Sequence, residues 1–260
     1  MEFLIITNDP QEAKRWDEAG VDYVFVDLEM NGKRERQGGR NTVISGHVFE
    51  DVSTVRPYIK NAKLLVRINP LHADSGVEVD NVIRAGADVV MLPMFNSATD
   101  LEQVVRLVDG RCAILPLIET PQALQDIDKI CQVEGIDSFH IGLNDLSIAL
   151  ELSFMFAVVE NEQFINALVT LKSYGIRFGF GGVAKLGQGE MPAELILSQH
   201  RRLGSTRAIL SRAFKEQVSF ENSAEEVQAI RDYYSQLTPG SMAEDHMRFQ
   251  TKLDLLGGVK

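Results

Sequence analysis

The stretch AILPLIETPQALQDIDKICQVEGIDSFHIGLNDLSIAL, residues 113–150, decides the fold. It holds two apolar runs that each end in a carboxylate. Residues 114–118 stop at Glu119, and residues 136–141 run into Gly142-Leu143-Asn144-Asp145. Each run is short, rich in Ile, Leu and Phe, and bounded by turn or capping residues, the pattern of a buried strand. Between them Thr120-Pro121-Gln122 supplies an N-cap followed by proline at the first helical position, which opens an amphipathic helix to about Cys131. The unit is therefore β-α-β, its strands parallel and both acids at the same C-terminal end. Two carboxylates converging on one rim suit a hard divalent cation such as Mg²⁺ or Mn²⁺.

Outward from this stretch the same alternation continues in both directions. Strands are expected at residues 3–7, 23–27, 64–68, 89–92, 113–118, 138–141, 178–181 and 207–210. Helical periodicity fills the intervals: 11–19, 50–60, 77–85, 98–108, 122–131, 145 onward to 174, 192–203 and 224–236. Gly20, Gly86, Gly175 and Gly204 stand where helices end and a left-handed residue is favoured. With 260 residues and no linker or break in composition, the pattern predicts a single-domain (β/α)₈ TIM barrel. An open doubly wound sheet is the alternative. Residues 237–260 form a C-terminal helical extension, a tail expected to pack on a neighbouring subunit.

Composition narrows the partners. The chain is 45% hydrophobic, ordinary for a globular core, and its formal charge is −11, from 26 basic and 37 acidic residues. That charge argues against nucleic acid or an anionic membrane as the main partner. No apolar run approaches the ~20 residues of a membrane helix. The N-terminus lacks the features of a signal peptide, and the two cysteines, Cys112 and Cys131, suggest reduced thiols in a cytoplasmic protein.

In parallel barrels the chemistry sits at the C-terminal ends of the strands. The candidate rim reads Asp27 and Glu29 after strand two, Arg67 and Asn69 after strand three, and Pro93 and Met94 after strand four. Glu119 follows strand five, Asn144 and Asp145 strand six, Gly181, Gly182 and Lys185 strand seven, and Ser211 and Arg212 strand eight. The opposite rim, with its Gly-Val-Asp and Gly-Ala-Asp turns, reads as packing. Arg67 closes an otherwise apolar strand, so an ion pair with Asp27 or Glu29 is expected, with donors left over for a ligand carboxylate or enolate. Glu119 and Asp145 have a plainer alternative as helix caps. His140, within strand six, is expected to be a hydrogen-bonded structural histidine. Lys33, Arg34, Arg36 and Arg40 form a basic cluster in the loop after strand two, suited to drawing in an anionic substrate.

Five motifs, VFVDLE (24–29), LLVRINP (64–70), AGADVVMLPM (85–94), LIETPQAL (117–124) and IGLNDLS (141–147), resemble in order and spacing those of the HpcH/HpaI aldolase/citrate lyase family. The resemblance implies a phosphoenolpyruvate/pyruvate-type barrel and metal-dependent making or breaking of a carbon–carbon bond. It implies Mg²⁺ or Mn²⁺, with Co²⁺ also accepted, held by Glu119 and Asp145. Arg67 would contact the keto oxygen and carboxylate of a 2-oxo acid, and Gly142, Leu143 and Asn144 would line the substrate site. The assembly would be a homo-oligomer, trimer or hexamer. The basic cluster after strand two, rather than the resemblance, suggests a sugar-like or phosphorylated aldehyde as the second partner.

Two departures stand out. Met30 occupies the position where the pyruvate-aldolase branch has a histidine, and Leu143 replaces the usual proline of the metal loop. With Met30 unable to carry a proton, His47 in the strand-two loop is expected to act as general acid/base, ahead of Glu29. No lysine ends a strand, which disfavours a Schiff base; Lys185 is the nearest candidate. The leading expectation is thus a class II aldolase, with an acyl-CoA lyase of the citrate lyase β-subunit or malyl-CoA lyase type, or a binding barrel without turnover, as alternatives.

Overall fold

The computed structural model describes residues 1–30 and 46–257. Its strands are β1 (Glu2–Ile6), β2 (Tyr23–Asp27), β3 (Lys63–Arg67), β4 (Val89–Met91), β5 (Ala113–Ile114 and Leu117–Ile118), β6 (Ser138–Ile141), β7 (Arg177–Val183) and β8 (Arg207–Leu210). All neighbouring strands pair in parallel, in sequence order, with β8 beside β1. The expected single fifth strand is split because Pro116 has no N–H to give. Ala113–Ile114 pairs with β4, and Leu117–Ile118 pairs with β6. Across the break Leu115 N–H donates to the Val90 carbonyl at 2.9 Å, and His140 N–H donates to the Pro116 carbonyl at 3.0 Å. The two pieces are one strand bonded on both sides, and they close the sheet into the expected eight-stranded barrel.

Alternation along the strands sorts the core into two layers. Leu4, Tyr23, Phe25, Leu65, Val89, Met91, Leu115 and Leu117 fill the barrel interior. Phe3, Ile5, Val24, Val26, Leu64 and Val66 point outward under the helices. Burying each such side chain contributes about 1.5–3 kcal/mol. At the N-terminal mouth Arg207 pairs with Glu2 at 2.7 Å and lies over the Tyr23 ring. The aspartates of the turns there tie strands together, as Asp22 does by accepting the Phe3 N–H at 2.7 Å. These contacts hold the closed end; the chemistry is at the other.

Two helices are shorter than their periodicity suggests. The expected helix 122–131 is broken at Asp126, whose carboxylate accepts the Ala98 N–H and the Lys129 ammonium, leaving Pro121–Gln125 and Ile127–Ile130. The long run from 145 to 174 resolves into Leu143–Ala149, a 3₁₀ turn at Met155–Glu160 and Glu162–Ser173. Asn161 starts the last of these by accepting the Gln163 and Phe164 N–H groups. Gly20, Gly86, Gly175 and Gly204 all have positive φ, as their helix-ending role requires. Within the tail, Pro239–Leu255 is a helix capped by Thr238 and packed on Ala193–Leu203 of the same chain, with Phe249 and Leu253 buried. Cys112 and Cys131 are unpaired and half-buried. Among the described residues no helix is long and apolar enough to cross a membrane.

Candidate active site

The C-terminal ends of the strands open into a cavity of about 670 Å³. Asp27 ends β2 and Arg67 ends β3, and strand register sets them directly opposite. Arg67 Nε and Nη2 donate to the two oxygens of Asp27, each at 2.8 Å, a two-pronged fork. Glu29 adds a second carboxylate 3.4 Å from Arg67 Nε. Burial works against the Arg67 charge, but Asp27, Glu29 and Glu119 outweigh it and raise the guanidinium pKa. Arg67 is thus a fixed positive charge in the cavity wall. The expected ion pair is present with both acids.

Glu119 is buried, 2% exposed. One of its oxygens, Oε1, accepts the Met94 N–H at 3.0 Å, and Met94 takes a left-handed φ of 53° where this bond is made. The other, Oε2, sits over Gly142, where a side-chain Cβ would come within 2.9 Å of it. Burial, then the neighbouring charges of Asp145 and Glu29, push the Glu119 carboxyl up to about 8, against the lowering effect of Arg67 and the Met94 N–H. Neither acid is a helix cap. Thr120 caps the helix after Glu119, and the helix Leu143–Ala149 has Gly142 at its N-cap with Asp145 inside its first turn. Gly142, Leu143, Asn144 and Asp145 all line the cavity. Leu143 is buried, its methyl packed over Gly181, where a Cβ would lie 2.7 Å away; this fills the place of the absent proline.

His47 also lines the cavity, beside Asp27 and Arg67. Its Nδ1 accepts the Asp27 backbone N–H at 3.0 Å, so the neutral ring carries its proton on Nε2. Met30, by contrast, is 61% exposed and is not in the cavity wall. Lys185 is drawn to Glu226 at 2.6 Å and does not line the cavity either. The basic cluster Lys33, Arg34, Arg36 and Arg40 lies outside the described residues.

His140 departs from its expected role as a hydrogen-bonded histidine. It is 1% exposed and lines the cavity one inward position below Gly142 on β6, and neither ring nitrogen has a protein partner at hydrogen-bonding distance. Burial first, then the Arg207 charge and last the Arg67 charge, depress its pKa to about 3; the Gly181 main chain, near the ring though outside hydrogen-bonding geometry, acts in the opposite direction. Sequence reading also missed the Met94 main chain as a partner of Glu119, although Pro93 and Met94 stood on the candidate rim. It missed Lys215 in the cavity wall as well, five residues beyond the end of β8 at Leu210.

The cavity thus gathers two acids from adjacent strands, a fixed arginine and a tautomer-locked histidine. Among the described residues no group of three or more His, Cys, Asp and Glu gathers as a metal cluster. The donor set is instead two carboxylates with an open side, which suits a cation that keeps several water or ligand oxygens. A buried carboxyl whose ionisation is opposed by burial and by a second carboxylate is satisfied by a positive ion, so these residues fit a divalent metal.

Comparison with known proteins agrees with the fold. A solved HpcH/HpaI aldolase/citrate lyase family protein from Burkholderia cenocepacia superposes with a TM-score of 0.65 at 15% identity, covering 88% of this chain and 94% of that one. The protein CitE from Mycobacterium tuberculosis, solved in complex with magnesium and acetate, superposes with a TM-score of 0.61 at 15% identity, covering 95% and 97%. The citrate lyase subunit beta of Haemophilus influenzae is 27% identical over 121 residues, 42% of this chain, and that match spans 39% of the relative's own length. The model of the HpcH/HpaI aldolase/citrate lyase family matches residues 3–155, the segment that carries Asp27, Arg67, Glu119 and Asp145, and the chain belongs to that family.

Proposed function

We propose that this protein is a divalent-metal-dependent, class II aldolase that forms or cleaves a carbon–carbon bond between the enolate of a pyruvate-like 2-oxo acid and an aldehyde. The observation that carries the reading is the one cavity that Glu119, Asp145 and Arg67 line together, with Glu119 buried and its carboxyl pushed up by burial and by Asp145. Glu119 and Asp145 would hold Mg²⁺ or Mn²⁺, with Co²⁺ as a substitute. When bound, the cation supplies Lewis-acid stabilisation of the negative charge that develops on the 2-oxo acid. The solved relative CitE, in complex with magnesium and acetate, supports a metal and a small carboxylate in such a barrel.

The chain's own residues do the remaining work. Asp27 spends two acceptor oxygens on Arg67 Nε and Nη2, which orients the guanidinium and leaves Nη1 to bind the substrate carboxylate or oxo oxygen. The same fixed charge favours the enolate over the ketone, because it needs no reorganisation as charge develops. His47, locked by the Asp27 N–H, serves as a neutral donor from Nε2 to the oxygen of the aldehyde or alkoxide. Glu29, held beside Arg67 and not itself in the cavity wall, takes the proton from carbon through a water that it positions. Gly142, Leu143 and Asn144 shape the floor on which the 2-oxo acid lies.

The deciding experiment is proton–deuterium exchange at the methyl group of pyruvate, followed by NMR with Mg²⁺ or Mn²⁺ and again with chelator. Metal-dependent exchange is expected. Absence of exchange with every 2-oxo acid tried would overturn the aldolase reading in favour of an acyl-CoA lyase or a barrel that binds without turnover. The proposal includes a homo-oligomer, trimer or hexamer, with residues 237–260 at the contact between copies; light scattering tests it.

A further inference from the structure

The wall of the cavity at the end of β8 carries two cations that the reaction described above does not use. Arg212 opens the helix Arg212–Gln217 and Lys215 lies one turn later, and both line the same cavity as Glu119, Asp145 and Arg67. Lys215 Nζ donates one hydrogen bond, to the Ile6 carbonyl at 2.7 Å. An ammonium has three donors, so two remain. The acids that act on Lys215 most are Glu12 and Asp9, and both are committed elsewhere. Asp9 accepts the Gln11 and Glu12 N–H groups at the start of a helix. Glu12 accepts from Arg15 Nη1 at 3.0 Å and from Trp16 Nε1 at 2.8 Å. Among the described residues neither Lys215 nor Arg212 has a salt-bridge partner, in a chain whose formal charge is −11.

Lys215 is half-buried, and burial first, then the Arg15 and Arg212 charges, work against its ammonium, while Arg212 itself is exposed to the solvent side of the cavity wall. A half-buried ammonium with like charges near it gains from an anion that neutralises it. The cavity, about 670 Å³, is of the size that takes a drug-sized ligand, far larger than a three-carbon oxo acid needs. There is room for a second reactant.

We propose that Lys215 and Arg212 bind a terminal anionic group, a carboxylate or a phosphate, on the second reactant. That the second reactant is an aldehyde rests on the aldolase reading; that it carries an anion rests on the two cations alone. The 2-oxo acid lies against Arg67, and the anionic end of its partner lies at β8. An enzyme built this way discriminates against neutral aldehydes, because they leave both cations unpaired.

The test has a binding arm and a kinetic arm. Titration of the Mg²⁺-loaded protein with inorganic phosphate and with succinate should give binding in the wild type. The affinity should weaken by about tenfold or more in Arg212→Gln/Lys215→Gln, the loss of roughly 1.4 kcal/mol. Gln at 215 keeps a donor for the Ile6 carbonyl, and Lys215→Arg should retain binding, which separates lost charge from lost folding. In the kinetic arm, kcat/KM for 4-oxobutanoate is compared with butanal, and for glyceraldehyde 3-phosphate with glyceraldehyde. The anionic member should be favoured about tenfold in the wild type, with the ratio falling toward one in the double variant; the larger preference identifies carboxylate or phosphate. Equal anion binding in wild type and double variant, or a wild-type ratio near one, overturns the proposal. So does trapping of pyruvate on Lys215 by borohydride, which would make it a Schiff-base lysine. If no aldehyde reacts, the aldolase reading fails and the binding arm alone decides the anion site.

Discussion

Asp27 grips Arg67 through two parallel hydrogen bonds of 2.8 Å while its own backbone N–H holds His47 Nδ1 at 3.0 Å. One residue at the end of β2 therefore orients both a cation and a histidine at the cavity. Lysine at position 67 keeps the charge but loses the planar fork. Arg67→Lys should slow pyruvate exchange on the order of a hundredfold, the worth of one oriented donor. Melting temperature should change little by comparison, since one charge still meets Asp27. Exchange at the wild-type rate would remove Arg67 from the chemistry.

The raised Glu119 pKa makes a signed prediction. Its folded value of about 8 lies above its ordinary 4.5, so the stability it contributes is complete below pH 4.5 and is lost as pH rises through about 8. In metal-free protein, wild type should therefore lose stability relative to Glu119→Gln between pH 5 and 8. A metal competes with that proton, so Mg²⁺ affinity should rise over the same interval and level off above it. Glu119→Gln and Asp145→Asn should each weaken Mg²⁺ and Mn²⁺ binding in calorimetry. Undiminished binding in both variants would show the ligands to be elsewhere.

Gly142 is pinned by contact rather than by φ. An alanine Cβ there would meet Glu119 Oε2 at 2.9 Å and Glu119 Cβ at 3.0 Å. Gly142→Ala should displace the Glu119 carboxylate and weaken Mg²⁺ binding by about tenfold or more, with overpacking costing about 1–3 kcal/mol of stability. Wild-type metal affinity in a well-folded Gly142→Ala protein would contradict the placement of Glu119 as a ligand.

His140 should behave unlike most buried residues. Both ring nitrogens lack a protein partner, and an unsatisfied buried polar group costs about 1–3 kcal/mol. His140→Leu should raise the melting temperature, and because the folded histidine stays neutral down to about pH 3 while the unfolded one binds a proton below its ordinary 6.5, the gain should be larger at pH 5 than at pH 8. A fall in melting temperature on substitution would reveal a structural hydrogen bond.

His47 and Glu29 separate by the step each one slows. His47→Ala should reduce aldol turnover by roughly 10²–10³, the range for a lost oxyanion donor. Glu29→Gln should reduce pyruvate exchange by about 10²–10⁴, the range for a lost general base. Equal exchange rates in Glu29→Gln and wild type would assign the proton transfer to another group.

Much of this was legible in the chain. Parallel strands in a barrel share one direction, so every acid that follows a strand must reach the same rim; Glu119 and Asp145 needed only their runs to be recognised. Strand and helix existence followed from periodicity, and the family followed from five motifs in order. What the sequence left open was side-chain parity and distance. Whether His140 faces inward depends on where its two-residue alternation starts, which barrel closure decides. Only register puts Asp27 opposite Arg67, and only the return of the chain to β8 brings Lys215 to a cavity whose first wall was built two hundred residues earlier. Pattern is local and survives in the sequence; contact between distant strand ends is a property of the closed barrel, because no residue carries the coordinates of its partner.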